Sequence, residues 1–192
     1  MEFSDRAGAA LQLMFELHRS QRRKGNNVPY ITHLLAVAAL VGEHGGDEDQ
    51  FIAALLHDAV EDAGGRDTLE RVRQEFGDRV AEYVWACSDT AEEPKPAWRP
   101  RKERYLAHVR EAPPEVKLIS AADKLHNARA INADLRKTGA AVWERFAGKR
   151  DGSLWYYREL PGALGDGWGH PILEELRDAV QEMLRLAEET GA

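Results

Sequence analysis

Apolar residues recur every three or four positions along most of the chain, which is the spacing of amphipathic helices. The first such stretch lies between Ala7 and Lys24, where the predicted apolar stripe consists of Leu11, Met14, Phe15 and His18. The pattern therefore predicts a helix with one side in the core and the other in water.

The next two helices are separated by clear stop and start signals. A Leu- and Val-rich helix is predicted over Ile31 to Glu43, Gly45-Gly46 ends it, and Asp47 can cap a third helix that runs to Gly64. Because this third segment is apolar on most sides, we expect it to be central. Further helical patterns lie at about 67–76, 78–88, 98–111, 115–137, 140–147, 153–160 and 170–190.

No stretch alternates apolar and polar residues with β-branched side chains, so no sheet is predicted and the fold class is all-α. Two segments interrupt the helices. Thr90 to Pro100 contains three prolines, and Gly148 to Gly152 is polar with two glycines. Neither is flanked by enough helices to build separate cores, so a single domain over residues 1–192 is predicted.

Composition excludes several classes of protein. Apolar residues make up 43% of the chain and charged residues 31%, with a formal net charge of −7, which does not favour a nucleic-acid or membrane-surface partner. No apolar run is long enough to span a bilayer, and the acidic N-terminus does not have the pattern of a signal peptide. Cys87 is the only cysteine, so disulfides and a cysteine-rich zinc site are excluded. We expect a soluble, cytoplasmic protein.

Four ionisable residues interrupt the most apolar helix. His57 and Glu61 are four positions apart, as are Asp58 and Asp62, so all four should face one broad side. Ionisable groups in a buried helix are costly unless they pair or bind a metal. The alternative is that the carboxylates face solvent and His57 is a hydrogen-bonded core histidine.

Two other segments add candidate ligands to this helix. His33 lies near the start of the preceding apolar helix, and Asp123 is embedded in the Ala- and Leu-rich segment from residue 118 onward. Imidazole together with carboxylate suits a divalent ion such as manganese or iron, and two of each leave positions open for a substrate. Lys124 is interpreted either as a neutralising partner of Asp58 or Asp62, or as an exposed side chain.

The order and spacing of these residues resemble the HD-domain metal-dependent phosphohydrolases. The finer similarity is to the hydrolase domain of the RelA/SpoT alarmone enzymes, in its stand-alone small alarmone hydrolase form. The matching stretches are Arg22-Arg23-Lys24, Pro29-Tyr30-Ile31-Thr32-His33, residues 53–62 around His57-Asp58-Ala59-Val60-Glu61-Asp62, and Asp123-Lys124-Leu125-His126-Asn127. This resemblance implies a helical bundle of roughly eight to ten helices.

The resemblance also implies a role for each matching residue. One divalent ion per chain, Mn2+, would be held by His33, His57, Asp58 and Asp123. Glu61 and Asp62 would position and deprotonate the attacking water. The residues implied in substrate binding are Arg23 and Lys24 at the phosphates, Asn127 at the ribose, and Tyr156, chosen from Trp155-Tyr156-Tyr157, against the nucleotide.

The activity implied by the resemblance is hydrolysis of the 3′-diphosphate of (p)ppGpp to GDP or GTP and pyrophosphate, which removes the alarmone of the stringent response. Two alternatives remain open. The same site could act on (p)ppApp or on the 2′-phosphate of NADPH, because no residue in the sequence decides the base. A non-catalytic nucleotide-binding sensor is the alternative from a different class. The sequence does not predict the oligomeric state.

Overall fold

The computed structural model describes residues 2–25, 27–88 and 96–190, and these ranges are predominantly helical. The helices are α1 (Asp5–His18), α2 (Ile31–Glu43), α3 (Glu48–Leu56), α4 (Ala59–Asp62), α5 (Gly65–Phe76), α6 (Asp78–Cys87), α7 (Trp98–Glu111), α8 (Pro114–Thr138), a 3₁₀ helix (Gly139–Arg145), α9 (Lys149–Gly165) and α10 (Ile172–Glu189). Within the described ranges, the bridge between Arg22 and Pro29 is isolated and builds no sheet. The all-α prediction is confirmed.

The chain divides into two compact units. The first contains residues 1–95 and 112–122, and the second contains residues 96–111 and 123–192. Helix α8 contributes its first residues to one unit and the remainder to the other. The single domain over 1–192 stays a prediction. Of the predicted loop over 90–100, residues 90–95 lie outside the described ranges, and α7 begins at Trp98.

Helix α3 forms the centre of the first unit, as predicted. The side chains from Ile52 to Leu56 are fully buried, and α3 packs against α1, α2 and α6. Asp47 caps its N-terminus in a capping box, in which its side chain accepts from Gln50 N–H and the Gln50 side chain accepts from Asp47 N–H. This reciprocal cap fixes where α3 begins, and the start of the helix in turn determines the position of its last residues.

Several details of the sequence prediction are wrong, and one is the interruption predicted at Gly148 to Gly152, because α9 already begins at Lys149. Helix α1 ends at His18 instead of continuing to Lys24. The predicted stripe of α1 is rotated, because Leu11 and Phe15 are exposed while alanines, among them Ala10, take the buried face. The third predicted helix is interrupted after Leu56, and residues 57 and 58 form a turn before α4.

The second unit is built around α9, which packs against α7, α10 and the 3₁₀ helix. The indole of Trp98 lies directly over two glycines. A Cβ added at Gly148 would lie 2.6 Å from the ring, and one added at Gly152 would lie 2.9 Å from it. These glycines therefore admit the ring that also contacts Trp155 and Tyr156. Among the described residues, no helix combines the length and apolar character required to cross a membrane.

The close approach of Trp98 predicts opposite effects for two substitutions in α9. Gly152→Ala should lower the free energy of unfolding by about 1–3 kcal/mol, because the methyl group overlaps a packed ring. Gly162→Ala is the matched control, since a Cβ there meets no atom of the described residues within 4 Å. It should raise the free energy of unfolding by about 0.4–1 kcal/mol through the restricted unfolded chain. Denaturant unfolding measures both, and equal effects would contradict the close contact.

Candidate active site

The turn between α3 and α4 places two ionisable side chains beside the start of α2. His33 comes from the first turn of α2, and His57 and Asp58 come from the turn itself. One ligand atom of each residue lies within 4.8 Å of the others. Asp58 Oδ2 is the shared atom, 3.0 Å from His57 Nε2 and 3.8 Å from His33 Nε2. Three of the four sequence-predicted metal ligands thus lie together in the first unit.

The tautomer of His57 follows from its other ring nitrogen. Nδ1 lies 2.8 Å from the carbonyl oxygen of Ala54, which can only accept a hydrogen bond. The proton of the neutral imidazole is therefore on Nδ1, and the lone pair of Nε2 faces Asp58. A ligating histidine is commonly oriented in this way, by donating its second N–H to a backbone carbonyl.

With His57 neutral, this tautomer places two hydrogen-bond acceptors against each other at 3.0 Å, His57 Nε2 and Asp58 Oδ2, whereas a protonated Nε2 would pair with the carboxylate. His57 is 2% exposed and His33 is 1% exposed, so water can offset the resulting repulsion only from the side of Asp58. A cation between the acceptors would turn this repulsion into attraction. Two imidazole nitrogens and one carboxylate oxygen are a donor set that suits a divalent transition metal. The residues present therefore fit a metal ion.

Tyr30 contributes a contact that the sequence analysis did not assign. Its hydroxyl donates to Asp58 Oδ2 at 2.5 Å, and its ring lies edge-on to His33. The guanidinium of Arg23 lies 5.6 Å from the centre of the same ring, whereas Lys24 is exposed. The spacing of three residues between Tyr30 and His33 was the available signal, because it places both side chains on one side of a helix start.

Glu61 and Asp62 both lie on α4, immediately after the turn. The prediction of one continuous helix through residues 57 to 62 is wrong, but the amide of Asp62 still donates to the Asp58 carbonyl at 3.0 Å. One helical turn therefore separates Glu61 and Asp62 from His57 and Asp58, as expected. Glu61 is half-buried and Asp62 is exposed. The Asp62 carboxylate accepts a hydrogen bond from Gln21 Nε2 at 2.8 Å.

The remaining predicted residues belong to the second unit. Asp123 is 6% exposed, and both of its oxygens have partners: Asn127 Nδ2 donates to Oδ1 and Lys124 Nζ donates to Oδ2, each at 2.5 Å. Lys124 thus contacts Asp123, its neighbour in sequence, and the ammonium lies 4.9 Å from the Tyr105 ring. Although burial alone would lower the pKa of Lys124, the Asp123 carboxylate holds it well above its usual value.

Tyr156 is 5% exposed and lies within a group of aromatic rings, with contacts to Trp98, Tyr105 and Tyr157. The ammonium of Lys102 lies 5.0 Å from its ring centre. Much of the Tyr156 ring is therefore packed against protein.

The HD-domain family profile matches residues 10–153, which is most of the chain. The chain therefore belongs to the HD-domain family, and the resemblance seen in the sequence is confirmed at this level. The matched range covers every candidate residue except Tyr156.

Among curated proteins, the chain is similar to guanosine-3′,5′-bis(diphosphate) 3′-pyrophosphohydrolase MESH1. The frog protein (Xenopus tropicalis) is 37% identical over 67% of this chain and 68% of its own length. The human protein is 40% identical over 60% of this chain and 63% of its own length. A probable GTP pyrophosphokinase of Mycobacterium leprae is 38% identical over 64% of this chain, but the match spans only 15% of that longer protein.

A solved structure resembles the whole chain. It belongs to a metazoan ortholog of SpoT described as hydrolysing ppGpp, and it matches with a TM-score of 0.75 and 27% identity over 100% of this chain and 98% of that one.

Replacement of Asp58 tests the facing acceptors. In metal-free Asp58→Asn, the new amide can donate to His57 Nε2, so this variant should melt no lower than metal-free wild type. Mn2+ at about 100 times its Kd should stabilise the wild type by about 2.7 kcal/mol and leave Asp58→Asn unchanged. Thermal melts with chelator and with Mn2+ measure both effects.

The exposed Asp178→Asn is the matched control and should respond to Mn2+ as the wild type does. An equal rise in melting temperature in Asp58→Asn would place the metal elsewhere.

Proposed function

We propose that this protein is a metal-dependent hydrolase that removes the 3′-diphosphate of (p)ppGpp, giving GDP or GTP and pyrophosphate. The observation that carries the proposal is the cluster of His33, His57 and Asp58, in which the Ala54 carbonyl turns the lone pair of His57 toward a carboxylate. Relatives named as ppGpp 3′-pyrophosphohydrolases, 37–40% identical to this chain, favour this substrate over others.

In this proposal the cation is Mn2+, with Asp123 as the fourth protein ligand. A divalent ion bound there would supply Lewis-acid chemistry, activating the attacking water and offsetting charge on the diphosphate. A neutral His57 would bind the ion through Nε2 without releasing a proton, because the Ala54 carbonyl holds its proton on Nδ1. The Tyr30 hydroxyl would hold the Asp58 carboxylate in one orientation as the ligand geometry changes.

The reaction needs a proton acceptor near the attacking water, and we assign that role to Glu61 and Asp62. Water would attack the phosphorus next to the ribose, the bond from phosphorus to O3′ would break, and O3′ would leave with a proton. The half-buried position of Glu61 and the hydrogen-bonded carboxylate of Asp62 support this assignment. Neither side chain needs to be a ligand, since both lie one helical turn beyond Asp58.

Substrate contacts are assigned by charge and chemistry. Arg23 is held over the Tyr30 ring and would contact phosphate oxygens, with the exposed Lys24 beside it. Asn127 has one amide hydrogen engaged with Asp123, and its carbonyl oxygen would accept from the ribose. Tyr156 would present to the base only the part of its ring that the surrounding aromatic residues leave open.

A substrate panel tests the proposed function. The purified protein with Mn2+ should hydrolyse ppGpp faster than ppApp or NADPH, with pyrophosphate as the product from ppGpp. A rate on ppApp or NADPH far above that on ppGpp would overturn the substrate. Binding of ppGpp without turnover, in protein shown to contain metal, would favour the nucleotide sensor.

Glu61→Gln separates chemistry from binding. Glutamine keeps the size of the side chain but cannot accept the proton, so kcat should fall by about 10²–10⁴ with little change in KM or metal content. Steady-state kinetics and elemental analysis on one preparation provide the comparison. Glu159→Gln, at an exposed position on α9, should retain wild-type kinetics. Loss of metal in Glu61→Gln would instead make Glu61 a ligand.

Asp123→Asn tests the fourth ligand. Both Asp123→Asn and Asp123→Ala remove the negative charge beside Lys124, but the asparagine oxygen can still accept from the ammonium, whereas Asp123→Ala would also remove that acceptor, at a cost of about 3–5 kcal/mol. Asp123→Asn should therefore fold, weaken Mn2+ binding at least about tenfold and abolish turnover. Isothermal titration with Mn2+ gives the affinity. Unchanged affinity and full activity would remove Asp123 from the ligand set.

A further inference from the structure

Gln21 lies between a buried histidine and one of the assigned proton acceptors. Its Oε1 is 2.6 Å from His18 Nδ1, and its Nε2 is 2.8 Å from Asp62 Oδ2. The segment lies outside the helices, in the connection between α1 and α2. Asp62 is exposed, and Gln21 gives its carboxylate a hydrogen-bond donor from the connection between α1 and α2.

The chemistry of the groups fixes the direction of both hydrogen bonds, the one between His18 and Gln21 and the one between Gln21 and Asp62. An ionised carboxylate only accepts, so the amide nitrogen of Gln21 must face Asp62. The amide oxygen then faces His18, and His18 Nδ1 must carry a proton. His18 is 0% exposed, and among the described residues its Nε2 has no hydrogen-bond partner. The amide of Gln21 therefore cannot flip without placing two acceptors or two donors together.

The backbone holds Gln21 in place as firmly as its side chain does. Its amide donates to the His18 carbonyl at 3.0 Å, and its carbonyl accepts from the Tyr30 amide at 3.0 Å. Tyr30 in turn donates its hydroxyl to Asp58. The connection between α1 and α2 thus carries one donor to the metal cluster and one to Asp62, and the two donors are linked by a backbone hydrogen bond.

We propose that Gln21, fixed by His18, is a positioning residue that holds the Asp62 carboxylate toward the attacking water. The inference rests on the proposed hydrolase function and extends it to two residues that touch neither metal nor substrate. Loss of the Gln21 amide should lower kcat by about 10- to 100-fold, because a misdirected proton acceptor raises the barrier more than it weakens binding. KM and Mn2+ content should change less than about threefold.

Two substitutions separate positioning from packing. Gln21→Glu has the shape of the native side chain but presents a carboxylate to Asp62, whereas Gln21→Ala removes the contact. If Gln21 positions Asp62, Gln21→Glu should lose at least as much kcat as Gln21→Ala. If Gln21 only fills space, the isosteric Gln21→Glu should be the milder change, and that result would overturn the proposal. Gln74→Ala is the matched control, since Gln74 donates to an exposed carboxylate of α5.

A double-mutant cycle tests whether Gln21 acts through Asp62. In an Asp62→Asn background, Gln21→Ala should change kcat by less than about threefold, although it costs about 10- to 100-fold in the wild type. Equal losses in both backgrounds would overturn the proposal. The kcat values are measured with whichever of ppGpp, ppApp and NADPH the wild type hydrolyses fastest. Absence of turnover with every nucleotide would contradict the proposed function and this inference with it, whereas turnover unchanged by Gln21→Ala contradicts the inference alone.

Nitrogen NMR gives a readout that does not depend on activity. In 15N-labelled wild type, the His18 ring should show a protonated Nδ1 and an unprotonated Nε2, and the Nδ1 proton should exchange slowly with water. Gln21→Ala should accelerate that exchange, while Gln74→Ala should not. If His18 in the wild type were protonated on Nε2 instead, its Nδ1 could not donate to Gln21, and the proposal would be overturned.

Discussion

A single hydrogen bond, from His57 Nδ1 to the Ala54 carbonyl, sets the chemistry of the first unit. The last carbonyls of a helix have no partner further along that helix, and the His57 ring satisfies one of them at the end of α3. The same bond fixes the tautomer and aims the Nε2 lone pair at Asp58. This hydrogen bond at the end of α3 therefore also orients the ring of a candidate metal ligand.

The burial of α3 is what makes this arrangement effective. Its apolar residues exclude water from the two histidines. Solvent therefore screens little of the electrostatic interaction between His57 and Asp58. The buried carboxylate of the second unit has different partners. Asp123 is neutralised by Lys124 and receives a hydrogen bond from Asn127. A buried acid thus has a stabilising partner within its own unit before any ion is considered.

The sequence was most informative for residue types that occur in few structural contexts. Paired ionisable residues in an apolar segment identified His57 and Asp58, and the Asp47 cap followed directly from helix start rules. Periodicity alone misplaced the buried face of α1, because alanine packs as closely as leucine but weighs little in a hydrophobic pattern. It also missed the turn after Leu56, since His57 and Asp58 are both compatible with a continuing helix.

The hydrogen bonds that Tyr30 and Gln21 donate to Asp58 and Asp62 could not be predicted from the sequence for a related reason: each joins residues more than 25 positions apart. Diffraction at the manganese absorption edge from crystals grown with Mn2+ would test the metal centre most directly. One anomalous peak is expected about 2 Å from His33 Nε2, His57 Nε2 and Asp58 Oδ2. A peak elsewhere, or a direct hydrogen bond from a protonated His57 Nε2 to Asp58 with no peak between them, would contradict it.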